Sequence, residues 1–247
     1  MLLDLKRREL SLKLVYYGAG LGGKTTNLVA LHERLRPAAG DEARKPPLTM
    51  LKTADDRTLF FDLLPLRLRG PGSDAAVRLK LYTVPGQPIH AITRRLVLRG
   101  ADGVAFVADS QISRTRANAD SFVELRENLK SNGLDLGRLP LVIQFNKRDL
   151  PEVRSDDEIA ALAARGREPL YMAVATEGRG VIETFVALLK LTWLTLDREH
   201  GIEAALGLTE REVLLGAAAE LGVDGGLDEL VAAGVGGLHA RLQRARA

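Results

Sequence analysis

Eight consecutive residues, Gly18-Ala19-Gly20-Leu21-Gly22-Gly23-Lys24-Thr25, fit the pattern G-x-x-x-x-G-K-[ST]. Glycines let backbone N–H groups turn inward around phosphate oxygens with no Cβ in the way, and a following helix adds positive potential at its amino end. Lys24 supplies a cation and Thr25 a hydroxyl suited to Mg2+. The stretch from Gly18 through Thr26 is therefore expected to hold a nucleotide phosphate chain. Far along the chain stands Asn146-Lys147-Arg148-Asp149, an N-K-x-D pattern. A carboxylate at Asp149 accepts from both N1–H and the exocyclic amine of guanine, whereas adenine offers an acceptor at N1 and would leave buried groups unpaired. The expected base is guanine and the expected cofactors are GTP or GDP with Mg2+.

These residues need elements to place them. Leu10, Leu12 and Leu14 alternate with Ser11 and Lys13 and lead through Val15-Tyr16-Tyr17 into the glycines, which reads as a strand entering a tight loop. Leu28, Leu31 and Leu35 recur at helical spacing, so a helix follows over 26–35. The stretch 36–47, with Pro37, Gly40, Pro46 and Pro47, makes a long connection of the kind that often carries function. Two β-rich runs, 57–68 and 77–84, flank Gly70-Pro71-Gly72 and predict an antiparallel hairpin. Helical patterns over 89–99, 114–132 and 181–196 then alternate with apolar strands over 103–109, 141–146 and 169–175. Ser155-Asp156-Asp157-Glu158 has capping-box spacing ahead of another helix. Buried strands alternating with helices imply an α/β fold, a mostly parallel sheet of six strands with one antiparallel edge strand and helices on both faces. It spans residues 1–197. Residues 198–247 read as a helical C-terminal extension, one helix starting at a second capping box, Thr209 to Glu212. Two readings of it stand open: a solvated tail, or an element that docks on the first domain or on a partner.

Composition sets the bounds. Of 247 residues 46% are hydrophobic and 27% charged, near the averages of a folded globular chain. A net charge of +3 gives nucleic-acid binding no support. Zero cysteines exclude disulfides, a thiol nucleophile, a cysteine-ligated metal and a cysteine-borne lipid anchor. No secretory leader pattern follows Lys6-Arg7-Arg8, and no stretch of roughly 18 uncharged apolar residues occurs, so a cytoplasmic protein is expected.

Taken together, the phosphate loop, the N-K-x-D loop and the element order resemble the Ras-like small GTPases, a P-loop NTPase superfamily. Several blocks resemble one bacterial branch of it, the MglA-like cell-polarity GTPases. They are Val15-Tyr16-Tyr17-Gly18, Arg57-Thr58-Leu59-Phe60-Phe61-Asp62, Leu81-Tyr82-Thr83-Val84-Pro85-Gly86-Gln87, Leu98-Arg99-Gly100, Phe106-Val107-Ala108-Asp109-Ser110, Asn146 to Pro151, and Val174-Ala175-Thr176-Glu177-Gly178. The resemblance covers residues 10 to 195. It implies a switch that binds and hydrolyses GTP, slowly when unaided, and regulates polarity or motility through GTP-dependent partners. Thr58 would close over Mg2+ and the γ-phosphate, Gln87 after the switch glycine Gly86 would orient water, and Arg57 would act as an arginine finger in cis. Ala175 and Thr176 stand where a backbone N–H meets guanine O6. The implied activator is a roadblock-fold, MglB-like protein, with polarity or motility effectors and recruitment to a cell pole. The alternatives are a low-turnover GTP-binding scaffold and an ATP-using P-loop kinase.

One departure from the wider superfamily stands out. Where most members carry D-x-x-G, this chain has Thr83-Val84-Pro85-Gly86, with no acid. Asp62, an acid in an apolar strand, either substitutes for it or faces water from an edge strand.

Overall fold

The computed structural model describes residues 1–36, 45–51, 61–70, 73–85, 91–223, 226, 229–230 and 234. In chain order the elements are β1 (Leu2–Asp4), β2 (Glu9–Tyr17), α1 (Lys24–Arg34), β3 (Thr49–Leu51), β4 (Phe61–Arg69) and β5 (Ala76–Thr83). They continue with α2 (Ala91–Leu98), β6 (Gly103–Asp109), α3 (Thr115–Ser131), β7 (Leu141–Asn146), α4 (Asp156–Arg165) and β8 (Leu170–Met172). Last come α5 (Val181–His200), α6 (Ile202–Leu206) and α7 (Glu210–Glu220).

Alternation along β2 splits its side chains between two cores. Leu10, Leu12, Leu14 and Tyr16 join the cluster built with α1 and α5, while Val15 and Tyr17 join the one built with α3 and α4. β6 does the same with Ala105 and Val107 against Val104 and Phe106. Both faces of β6 and of Leu14–Tyr17 in β2 are buried, which explains their nearly unbroken apolar runs, while Glu9, Ser11 and Lys13 of β2 are only half-buried.

The sheet order is β3-β4-β5-β2-β6-β7-β8, with β1 paired to β2. β2 runs parallel to β5 and β6, β6 to β7, and β7 to β8, while β4 is antiparallel to β5. This is the expected six-stranded Ras-like sheet. Two three-residue strands extend it, β1 folding back on β2 and β3 pairing with β4, both too short to announce themselves by periodicity. The registers Tyr16↔Thr83, Tyr17↔Phe106 and Asp109↔Asn146 bring the carboxyl ends of the parallel strands to one edge, where ligands of such sheets bind.

Both capping boxes form, Ser155 with Glu158 and Thr209 with Glu212. The strand expected over 169–175 is shorter: β8 ends at Met172 and Ala175–Glu177 is a 3-10 turn. The reason is local, since the Ala175 N–H leaves the ladder to bond the Asn146 side chain. α6 and α7 do not stand apart, for Ile202, Leu206, Val213, Leu214, Ala217 and Leu221 lie in the same apolar cluster as α1, α5 and β4.

Candidate functional site

The turn after β2 folds tightly against its neighbours. Gly18 has φ 146°, and a Cβ there would sit 2.1 Å from the Val107 carbonyl oxygen. Gly23 has φ 97°, and its Cβ would meet Asn146 Nδ2 at 2.1 Å. Only glycine fits either place. α1 begins immediately after, and the first-turn amides of such a helix have no intrahelical acceptor, so they face the loop's interior as donors.

Lys24 opens α1 with its side chain buried back into this turn. Its ammonium donates to the carbonyls of Gly18 (2.9 Å) and Ala19 (2.7 Å). Burial, and secondarily the Arg94 guanidinium, lower its pKa to about 8, with Asp62 opposing the shift. A buried cation with little counter-charge at a helix amino end is prepared for an anion. Gly20, Leu21, Gly22 and Thr26 complete the curve. Leu21 is a non-glycine residue at φ 63° with its side chain 86% exposed, a strained position of the sort that clusters at ligand sites.

Asn146, at the end of β7, ties three loops together. Its amide Nδ2 donates to the Gly22 carbonyl (3.0 Å), and its Oδ1 accepts from the Ala175 N–H (2.9 Å). The phosphate loop, the N-K-x-D loop and the turn after β8 are therefore fixed relative to one another by one buried side chain. Lys147 takes φ 65° and its ammonium pairs with Asp109 Oδ2 at 2.7 Å, which holds it along the edge of the site. Asp149 and Thr176 are exposed there, and Ala175 is buried.

Asp62 faces inward. It is 8% exposed, and its Oδ2 accepts from Thr25 Oγ1 and from Thr83 Oγ1, each at 2.7 Å. Thr83 Oγ1 in turn accepts from the Asp62 N–H at 3.0 Å. The reading of Asp62 as a water-facing edge residue is thereby overturned, and the threonine that stands where the superfamily has an acid is the residue that orients it. Arg57, Thr58, Gly86 and Gln87 lie outside the described residues, so their expected roles rest on the sequence resemblance.

Several contributors escaped the sequence reading. Gln144 in β7 exchanges hydrogen bonds with Asn27 of α1, both at 2.9 Å, and donates to Thr184 of α5 at 2.9 Å, all of it buried. A glutamine inside an apolar strand was the available signal. Asp109 and Arg114 also support the site, the latter donating to the Gly20 carbonyl at 3.0 Å. Arg94, 3% exposed, donates through Nε to Glu124 Oε1 at 2.8 Å and through Nη1 to the Pro85 carbonyl at 3.2 Å. With Arg114, Ser121 and Glu124 it lines a cleft of about 460 Å3 beside Gly18–Leu21. Nothing in the spacing of Arg94 marked it as buried.

The arrangement can cradle a polyphosphate on backbone amides and a lysine, offer a hydroxyl and a carboxylate at its rim, and present a free carboxylate to a planar base. No protein-family model matches the chain. Over 196 residues it is 45% identical to the mutual gliding-motility protein MglA of Myxococcus xanthus (strain DK1622). The match covers 79% of this chain and 97% of that protein.

Proposed function

Because this chain belongs to the MglA family of Ras-like small GTPases, we propose that it is a GTP-driven switch that hydrolyses GTP and controls cell polarity or gliding motility through nucleotide-dependent partners. The observation that carries the reading is the Asn146 side chain, which binds the phosphate loop at Gly22 and the base-side turn at Ala175. Phosphate and base recognition become one rigid frame. Asp149 takes the N1–H and exocyclic amine of guanine. The Ala175 N–H is committed to Asn146, which leaves the amide of exposed Thr176 as the donor to O6.

The residues present fit Mg2+, an ion that prefers hard oxygen donors and keeps several waters. Thr25 Oγ1 and the Asp62 carboxylate are such donors and already meet at 2.7 Å. Among the described residues no group of three or more His, Cys, Asp or Glu converges to cage a metal. Phosphate oxygens would therefore complete the set, with Thr58 as the further ligand the resemblance implies. When bound, the ion supplies charge stabilisation across the phosphates.

Hydrolysis asks for fixed positive charge at the γ-phosphoryl oxygens and an in-line water. Lys24 and the loop amides supply the first from the described residues, Arg57 adds a guanidinium, and Gln87 holds the water. The expected activator is a roadblock-fold protein, and the expected setting is the cytoplasm with recruitment to a pole. No helix among the described residues is long and apolar enough to cross a membrane.

Phosphate release from GTP, followed with and without a roadblock-fold partner, tests the reading. Slow turnover that the partner accelerates, and that falls at least tenfold in Gln87→Ala or Arg57→Ala, is the expected result. Negligible turnover with every partner tried would favour the GTP-binding scaffold instead.

A further inference from the structure

The two elements that meet at Thr25 and Asp62 are also held together at their opposite ends. α1 starts at Lys24 beside the phosphate loop and runs to Arg34, and β4 starts at Phe61, with Asp62 next to it near the same edge, and runs to Arg69. Seven residue steps of strand carry the chain about 23 Å away from the site. There α7 covers both ends. The Arg36 N–H donates to the Glu220 carbonyl at 2.7 Å, so the exit of α1 is bonded to the last turn of α7. Gly216, in the middle of α7, lies so close to β4 that a Cβ would come within 2.6 Å of the Arg69 carbonyl oxygen. Gly70 is equally tight, its Cβ position lying 2.4 Å from Leu208 Cδ1.

α7 is itself anchored to a fixed part of the fold. Lys190 of α5 pairs with Glu210 at 2.9 Å, both side chains largely buried. Glu203 accepts from Trp193 Nε1 at 3.0 Å and from the Glu210 N–H at 2.6 Å, which sets where α7 begins. Val213, Leu214 and Ala217 are buried in the cluster that also holds Leu66 and Leu68 of β4 and Leu31 and Leu35 at the end of α1.

We propose that α7 is an internal clamp that slows nucleotide release, by fixing the far ends of α1 and β4 whose near ends present Thr25 and Asp62 to the metal. The proposal rests on the guanine-nucleotide reading above and adds a regulator to it. Thr25 and Asp62 sit on different elements, so the pair they make depends on the relative placement of α1 and β4. A group that fixes that placement changes the free energy of whatever the pair holds, and the coupling is reciprocal: bound Mg2+ and nucleotide in turn tighten α7. A partner that lifted α7 would speed exchange from the side of the molecule opposite the nucleotide.

The test uses the full-length chain loaded with mant-GDP and chased with excess GDP, in Mg2+ and in EDTA. Gly216→Ala drives a methyl against the Arg69 carbonyl. Arg36→Pro removes the N–H that reaches Glu220, and Leu35 before it already has ψ 130°, as a residue preceding proline requires. Both variants are expected to release mant-GDP about fivefold or more faster than wild type in Mg2+, with the difference collapsing in EDTA. Release at the wild-type rate, or acceleration of the same size in both media, overturns the clamp. If Gly216→Ala does not fold, Arg36→Pro decides alone. A wild-type chain that takes up no mant-GDP instead overturns the nucleotide reading itself, a separate outcome.

Discussion

The Asp62 carboxylate accepts a 2.7 Å hydrogen bond from Thr25 Oγ1, joining the start of β4 to the start of α1 across 37 residues of sequence. Thr83 Oγ1 donates to the same oxygen. An acid held by two hydroxyls, next to a threonine whose hydroxyl suits Mg2+, is expected to take over the task of the acid that the D-x-x-G position lacks. Asp62→Ala should therefore raise the Mg2+ concentration needed to retain mant-GDP about tenfold or more, on the ordinary scale of losing one charged hydrogen-bonding group. A Mg2+ titration of the release rate measures it, and an unchanged midpoint would remove Asp62 from the metal's surroundings.

Lys24 carries a pH signature. Its pKa is about 8 in the fold, through burial first and Arg94 second, against an ordinary 10.5. Between about 8 and 10.5 the unfolded chain thus binds more protons at this residue than the folded one, and its contribution to stability rises with pH across that window. A polyphosphate has the opposite preference, because it stabilises the ammonium and draws a proton onto Lys24. Calorimetric titration of GDP at pH 8 in two buffers of different ionisation enthalpy should report net proton uptake that is absent in Lys24→Met. Equal uptake in both proteins would show that Lys24 is fully protonated before binding.

Asp149 is exposed and presents a carboxylate with no donor of its own. Asp149→Asn places an N–H2 where guanine also brings donors, so GDP affinity should fall about a hundredfold or more. Xanthine carries a carbonyl in place of the exocyclic amine, and XDP should gain where GDP loses. Competition of both nucleotides against a fluorescent one measures the ratio. Parallel losses for the two would mean that Asp149 does not read the base.

The Asn27–Gln144–Thr184 network is fully buried and fully bonded. Gln144→Leu keeps the strand apolar but strands an amide oxygen of Asn27 away from water, and the destabilisation expected is about 2 kcal/mol. Chemical denaturation gives the value. A change below about 0.5 kcal/mol would place the network among ordinary surface substitutions.

Elements that bury both faces were legible because their apolar runs have few alternatives: β6 and β7 fall on the expected residues, and the two capping boxes form where Ser155 and Thr209 stand. β1 and β3 were hidden, since three residues carry no period and their pairing depends on partners distant in sequence. The end of β8 was misplaced because a side chain, Asn146, competes with the ladder for one amide. The tight turn after β2 was legible because its backbone geometry demands glycine at Gly18 and Gly23. The inward turn of Asp62 was available in the alternation of β4, which puts Asp62 on one face with Leu64, Leu66 and Leu68, but its partners Thr25 and Thr83 are a tertiary matter that no spacing announces. The docking of α7 was only one of two open readings, because an Ala/Leu helix with a glycine at 216 announces close packing but not against what.

One rigid frame, pinned by Asn146, is expected to hold a guanine nucleotide by its phosphates and its base. Equilibrium binding of mant-GDP, challenged separately by GTP and by ATP, tests it most directly. Tight binding in Mg2+ that GTP displaces stoichiometrically, and that ATP at a hundredfold excess leaves in place, is the expected result. Displacement by ATP as effective as by GTP, or no binding at all, would contradict it.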